Sequence, residues 1–202
     1  MDFRLTEEQK AYRDKAAAFA DEFVVPVAAE NDKNAKFPHD NVKRMAELGF
    51  LGLPFPKEYG GQETDYMSYA LVVEEIAKRD ASTAIIVSAN NSLVGGPIYM
   101  FGTEEQKKKW LPDLLTGRKV GAFCLTEPDA GTDASRQLAT AVDMGDHYLL
   151  NAHKKFITNG GIAGTYLVFA MTDKSTGNMG ISAFIVDAES EGVRTGKLEQ
   201  KM

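Results

Sequence analysis

The sequence has almost no cysteine, no excess of positive charge and no long uninterrupted apolar run. Cys124 is the only cysteine among 202 residues, which excludes an intramolecular disulfide and a site of several thiolates and favours a reducing compartment. A formal net charge of −6 argues against a nucleic-acid partner, whose phosphates bind basic faces. No apolar run approaches the ~20 residues that span a bilayer, and the amino terminus lacks the apolar region of a signal peptide. We therefore expect a cytoplasmic protein with no nucleic acid and no membrane partner.

The motifs of several common enzyme classes are also missing. There is no G-x-G-x-x-G and no βαβ alternation, so a nicotinamide-binding Rossmann domain is not predicted. There is no G-x-S-x-G nucleophile elbow. His39, His147 and His153 are scattered without the spacing of metal ligands, so no metal site is predicted. What remains is a globular composition with 44% apolar and 26% charged residues, which is enough to bury a core.

The first half of the chain has the periodicity of helices. Thr6 with Gln9 has the spacing of a capping box and opens an amphipathic helix, which Pro26 is expected to disturb. The stretch 84–92 is almost entirely small or apolar, so it is predicted to be a helix buried in the middle of a bundle. The helical pattern stops at Gly117.

The second half has a period close to two, which is typical of strands. We place the boundary between Gly117 and Lys119, giving an α-helical domain over residues 1–118 and a β-domain over residues 119–202. The predicted fold class is therefore α+β, with an all-α domain followed by a β-barrel-like domain. The predicted strands are 120–125, 137–142, 148–157, 166–172, 181–187 and 193–198.

Two segments of the second half have a composition suited to a polar ligand. LTEPDAGTDAS, residues 125–135, joins the end of an apolar strand to a turn dense in backbone donors and hydroxyls. FITNGG, residues 156–161, repeats this arrangement, and two such strand ends are expected to face one flat ligand. A flavin ring needs donors or hydroxyls at its polar edge and apolar surface along its face. The residues that supply this mixture are Phe123, Leu125, Thr126, Phe156, Ile157 and Thr158.

In these segments the sequence resembles the acyl-CoA dehydrogenase family, whose middle β-domain carries Thr-Glu-Pro-x-Ala-Gly-Ser/Thr-Asp and aromatic-Ile-Thr-Asn stretches at about this separation. The resemblance covers the whole chain, from LTEEQ at 5–9 through FGTEEQK at 101–107 and GISAF at 180–184 to Lys201 and Met202. It implies FAD as the cofactor, held by the six residues named above. It also implies an acyl-CoA substrate, electron-transfer flavoprotein as the electron acceptor, and a homo-oligomer.

The resemblance also assigns candidate substrate contacts. Thr132 and Asp133 stand where the family's turn touches the pantetheine of acyl-CoA and orders the loop, although a plain solvent-exposed turn is the alternative. Leu93, Ile98 and Tyr99 are candidates for the acyl pocket, and core packing explains them equally well. For Thr126 and Thr158, without the family match, ordinary β-branched strand residues would be the simpler interpretation.

In the family's mechanism, the flavin ribityl hydroxyl and a backbone N–H bind the thioester carbonyl. A glutamate removes the α-proton while the β-hydride passes to flavin N5, toward which Thr158 would donate. That glutamate belongs to a later helical domain, so the base is expected beyond Met202 and the 202-residue chain alone is expected to be inactive. Glu127, the acid of the main motif, is either a general base or a residue that fixes the turn, and the family pattern favours the turn.

Three hypotheses follow for the function. The first is FAD-dependent α,β-dehydrogenation of an acyl-CoA to an enoyl-CoA in fatty acid metabolism. Similarity in residues 125–135 and 172–184 indicates the short-chain, butyryl-CoA type. The second is a flavin oxidase or monooxygenase on the same scaffold. The third is a non-enzymatic protein that binds acyl-CoA or flavin.

Overall fold

A computed structural model describes residues 4–199 of the chain. It separates into two compact units, the first ending at Val120 and the second beginning at Gly121. The first unit is helical and the second contains a mixed sheet, so the predicted α+β fold class, a helical domain followed by a β-domain, is confirmed. Lys201 and Met202, to which the family resemblance extends, lie outside the described residues.

Helices in the first unit begin at the polar caps that the sequence predicts. Thr6 accepts a hydrogen bond from the Gln9 amide at 3.2 Å, and the Gln9 side chain accepts one from the Thr6 amide at 3.0 Å. This confirms the predicted capping box, which satisfies two donors that a helix start leaves unpaired. The α-helices of the described residues are α1 (Glu7–Phe19), α2 (Val25–Lys33), α3 (His39–Glu47), α4 (Tyr66–Ala77), α5 (Ala81–Ser88), α6 (Gly96–Phe101) and α7 (Glu104–Leu115).

The regular α-helix is disturbed just before Pro26, as expected, although the helical segment does not end there. A π-helical turn, Ala20–Val24, follows α1, and α2 begins directly after it. Pro26 lies in the first turn of α2, and the π-helical turn directly before it accommodates the missing proline N–H within the helical path. The chain therefore passes from one helix into the next with only a local widening.

The apolar stretch at 84–92 lies in a long helical path, as predicted, although the path is not uniform. After α5, residues Ala89–Gly95 form a second π-helical segment that leads into α6. Asn90 and Asn91 are buried there, and their side-chain amides donate to backbone carbonyls, including that of Phe50 at 2.9 Å from Asn91. These bonds satisfy polar groups that the apolar surroundings would otherwise penalise.

This helical path is also relevant to membrane insertion. The helix Ala81–Phe101 is long and apolar enough to cross a membrane by length and composition alone, which qualifies the expectation drawn from the sequence. Half of its most apolar window is buried inside the protein. A core helix passes the same test of length and composition, so this feature is weak support for a membrane span.

The second unit is organised around one central strand. β4 pairs antiparallel with β5 along its whole length, and in parallel with β1 over its first half. Because β5 occupies one edge of β4, β1 and β2 share the other edge. β2 meets β4 at Met171, and it pairs antiparallel with β3. The strands are β1 (Gly121–Cys124), β2 (Thr140–Asp143), β3 (Tyr148–Asn151), β4 (Thr165–Met171) and β5 (Ile181–Asp187).

One predicted strand is too long and another does not form. The strand predicted at 148–157 ends at Asn151, and Phe156 has a φ of 58°, a left-handed conformation that no regular strand contains. The segment predicted at 193–198 forms no strand and is exposed. Only Val193 and Leu198 in it are apolar, so pairing would bury too little surface to order it.

Candidate functional site

The two segments singled out in the sequence lie side by side in the second unit. The amide of Lys155 donates to the carbonyl of Thr126 at 2.8 Å. The amide of the Asn159 side chain donates to the carbonyl of Gly121 at 3.1 Å, and the Lys154 amino group donates to that of Leu125 at 3.0 Å. The segments are therefore brought together as expected, through loop hydrogen bonds rather than through pairing of strand ends.

Glu127 is the centre of a buried hydrogen-bond network beside this junction. Its backbone makes a tight turn with Ala130, with hydrogen bonds in both directions at 3.0 and 3.2 Å. Its carboxylate, in a residue only 6% exposed, accepts from the Lys154 amino group at 2.8 Å and from the Ala139 amide at 3.1 Å. The amide of Leu138 is a further donor to the same carboxylate. The acid thus holds the turn and the chain that leads into β2.

The electrostatics of Glu127 follow from these contacts. Burial alone raises the pKa of its carboxyl, but the hydrogen bond from Lys154 and those from the Leu138 and Ala139 amides outweigh burial and hold the pKa below its usual range. A general base needs a free lone pair and a pKa near the working pH. The geometry therefore favours Glu127 as the residue that fixes the turn.

The apolar residues predicted to contact a flavin lie at or near this junction. Phe123 on β1 is half-buried, with its ring centroid 5.0 Å from that of Phe169 on β4. Ile157 packs against a buried cluster that includes Cys124. Phe156 is 54% exposed. Because successive strand residues point to opposite faces of a sheet, Phe123 and Ile157 lie on different faces of β1, while the ring of Phe156 is exposed.

Cys124 in β1 has the properties of a buried apolar residue. It is a free cysteine with 5% exposure, and burial raises the pKa of its thiol to about 12. Cys124 therefore behaves as a small hydrophobe rather than as a reactive thiol. Across residues 4–199, no three His, Cys, Asp or Glu side chains are arranged to hold a metal ion.

Two threonine hydroxyls complete the predicted site. Thr126 is half-buried, and Thr158 is exposed at the start of the glycine turn 158–162. Within residues 4–199, no other group forms a hydrogen bond with either hydroxyl. The joined segments thus carry two hydroxyls without an intramolecular partner and the exposed ring of Phe156, over which the Lys155 amino group lies at 4.9 Å from the centroid; this set of groups fits a flat ligand with a polar edge. The residues present therefore fit a flavin ring.

The predicted substrate residues of the second unit lie in an exposed turn. Asp133 accepts hydrogen bonds from the amide of Ser135 at 3.1 Å and from its hydroxyl, and so caps the short 3₁₀ turn Ala134–Arg136. Thr132 is exposed beside it. Asp133 thus orders the loop, while the contact of both residues with pantetheine stays a prediction.

The predicted acyl-pocket residues of the first unit have different environments. Leu93 is exposed, whereas Ile98 is in the core. The ring of Tyr99 lies 5.9 Å from Phe55 and 6.1 Å from Tyr59. Core packing accounts for Ile98 and for much of Tyr99, and the acyl-pocket assignment of all three stays a prediction.

Lys154 and Gln137 complete the buried network of Glu127. Nothing in the sequence predicts their role there. Lys154 is one of two adjacent lysines inside a segment predicted to be a strand, and a lysine pair usually indicates a solvated surface. Yet its side chain is only 8% exposed, and it also donates to Gln137 at 3.2 Å. Only the folded path brings these residues to Glu127.

Comparison with known proteins matches both units to domains of one enzyme family. Residues 6–118 match the family model "Acyl-CoA dehydrogenase, N-terminal domain", and residues 122–202 match "Acyl-CoA dehydrogenase, middle domain". The short-chain specific acyl-CoA dehydrogenase of Clostridium acetobutylicum is 50% identical over 202 residues, which are 100% of this chain and 53% of that protein.

Two solved structures are similar over nearly the whole chain. One, named for the electron transferring flavoprotein of Acidaminococcus fermentans, has 55% identity and a TM-score of 0.97, covering 100% of this chain and 53% of that one. Butyryl-CoA dehydrogenase of Megasphaera elsdenii has 47% identity and a TM-score of 0.91, covering 95% and 51%. The chain thus spans about half the length of these relatives, and the family resemblance seen in its motifs is confirmed.

Proposed function

The chain belongs to the acyl-CoA dehydrogenase family, and from this premise we propose that it contributes two domains of an enzyme that dehydrogenates a short-chain acyl-CoA to the enoyl-CoA. The observation that carries the proposal is the junction of residues 125–127 with 154–158. Its two hydrogen-bonded segments carry two hydroxyls without an intramolecular partner and one exposed aromatic ring. The short-chain preference is supported by relatives named short-chain specific acyl-CoA dehydrogenase and butyryl-CoA dehydrogenase.

In this proposal the cofactor is FAD, which when bound accepts a hydride from the substrate. Thr126 and Thr158 donate hydrogen bonds to the polar edge of the ring. Phe156 and Ile157 cover its apolar surface and keep water away, which strengthens the hydrogen bonds made there. The buried hydrogen-bond network of Glu127 fixes the backbone at Thr126.

The substrate is proposed to lie along the turn that contains Thr132 and Asp133. Because Asp133 already caps the following 3₁₀ turn, its part is to hold the loop, and Thr132 is the residue free to meet the ligand. The proposed electron acceptor is electron-transfer flavoprotein, supported by the name of a solved relative with 55% identity. A homo-oligomer and a cytoplasmic location complete the proposal.

Flavin difference spectroscopy tests this function. Butyryl-CoA added to the FAD-loaded chain should perturb the visible flavin band in a saturable manner, and at lower concentration than octanoyl-CoA does. A flat response to both thioesters would contradict the proposed substrate class. Rapid oxygen consumption on reduction would instead favour an oxidase on the same scaffold.

Turnover separates the two possible roles of Glu127. With an artificial acceptor, we expect negligible oxidation of butyryl-CoA by this chain, because positioned acid–base catalysis contributes about 10²–10⁴-fold and Glu127 is fully occupied. Clear turnover that Glu127→Gln abolishes, with FAD still bound, would identify Glu127 as the base and overturn its structural assignment.

A further inference from the structure

Lys154 contacts three acceptors through one buried amino group. Its Nζ donates to the Leu125 carbonyl at 3.0 Å, to the Glu127 carboxylate at 2.8 Å and to the Gln137 side chain at 3.2 Å. An ammonium group has three N–H donors, so each donor has a partner. Such a fully satisfied buried charge has one favoured position, because any displacement leaves a donor or the carboxylate unpaired.

The backbone next to Lys154 extends the same link. The amide of Lys155 donates to the carbonyl of Thr126 at 2.8 Å. The carbonyls of Leu125 and Thr126 are therefore both held by residues 154–155, which fixes the peptide between them and the direction in which the Thr126 side chain leaves the backbone. Phe156 follows at once on the same segment.

We infer that Lys154 is a positioning residue for the flavin site, because its amino group fixes the 125–127 segment against the 154–158 segment. This inference rests on the proposed function. Lys154 does not itself contact the flavin in this proposal; through Leu125 and Glu127 it acts on the proposed flavin contact Thr126. The competing interpretation is a buried ion pair that contributes only to stability or to nothing measurable.

The first test measures amide hydrogen exchange in the full chain without FAD. In the double variant Lys154→Met/Glu127→Gln, which leaves no unpaired buried charge, the amide of Lys155 should exchange at least about tenfold faster, since the link that holds its acceptor segment is lost. The amides of the β4–β5 ladder should keep wild-type protection. The matched control is Lys197→Met, which removes an exposed lysine paired with Glu199 at 3.3 Å and should leave all these rates unchanged.

The second test separates positioning from stability. The double variant Lys154→Met/Glu127→Gln removes both buried charges, and replacing both partners of a buried pair is often close to neutral for stability. It should unfold near the wild-type temperature. It still lacks the link from Lys154 to Leu125, so its FAD affinity, measured by quenching of flavin fluorescence, should be at least about tenfold weaker.

Each outcome decides the matter. Wild-type FAD affinity and wild-type exchange in the double variant would overturn the inference. So would a double variant that fails to fold while Lys197→Met folds normally, because the pair would then serve stability. If the wild-type chain binds no FAD, the proposed function fails. The exchange data still decide whether Lys154 orders the two segments.

Discussion

The substitution Glu127→Ala tests how much the second unit depends on one buried carboxylate. It removes the partner of the Lys154 amino group and the acceptor for the amides of Leu138 and Ala139. Lys154 is only 8% exposed at its side chain, so its charge cannot reach solvent without moving the surrounding chain.

The expected cost is large. Removing one partner of a buried ion pair destabilises by about 3–5 kcal/mol, because the remaining charge is left uncompensated. For a unit of this size, each kcal/mol lowers the melting temperature by roughly 4–8 °C. We therefore expect Glu127→Ala to lower the melting temperature of the second unit by roughly 12–40 °C, and Glu127→Gln, which keeps an acceptor for the amides, to lower it less.

The same contacts predict the pH dependence. The pKa of Glu127 is held below the usual carboxyl range, so its contribution to stability is present above that range and is lost as the pH falls through the lowered pKa. Denaturant unfolding of the wild type should show this acid loss, and Glu127→Gln should show less of it. Stability of Glu127→Ala within 1 kcal/mol of wild type at neutral pH would refute the reasoning.

Two further predictions concern the buried thiol and one glycine. Because burial raises the pKa of Cys124 to about 12, a disulfide reagent at pH 8 should leave the folded chain unlabelled. The same reagent should modify the thiol fully in denaturant. Rapid labelling of the folded chain would contradict the burial of Cys124. A Cβ at Gly61 would lie 2.1 Å from the carbonyl oxygen of Phe55, so Gly61→Ala should lower the free energy of unfolding by about 1–3 kcal/mol. Gly196→Ala, which has open space around it, should be nearly neutral. Equal melting temperatures for these two variants would contradict the close approach of Gly61 to Phe55.

What the sequence predicts well is what a few neighbouring residues decide. The capping box of Thr6 and Gln9 is local, and it forms as expected. The apolar run that contains Cys124 becomes β1 because its composition favours a buried strand. The LTEPDAGTDAS and FITNGG motifs lie next to strands of the same sheet, and their turn-rich composition already indicates loops at strand ends.

What the sequence does not predict is decided by distant partners. β2 begins at Thr140 rather than at residue 137, because the amides of Leu138 and Ala139 bind Glu127 instead of a neighbouring strand. Lys154 resembles any surface lysine until the fold buries it. Local propensity cannot reveal such contacts, since each depends on chain segments that lie far apart in sequence.

Titration of the purified chain with FAD, followed by flavin fluorescence, tests the central claim most directly. We predict saturable binding that weakens in Thr126→Ala and in Thr158→Ala, each of which removes one hydroxyl from the joined segments. Thr176→Ala, which alters an exposed threonine in another loop, should bind as the wild type does. Absence of saturable binding, or binding that neither Thr126→Ala nor Thr158→Ala weakens, would contradict the assignment of this junction as the flavin site.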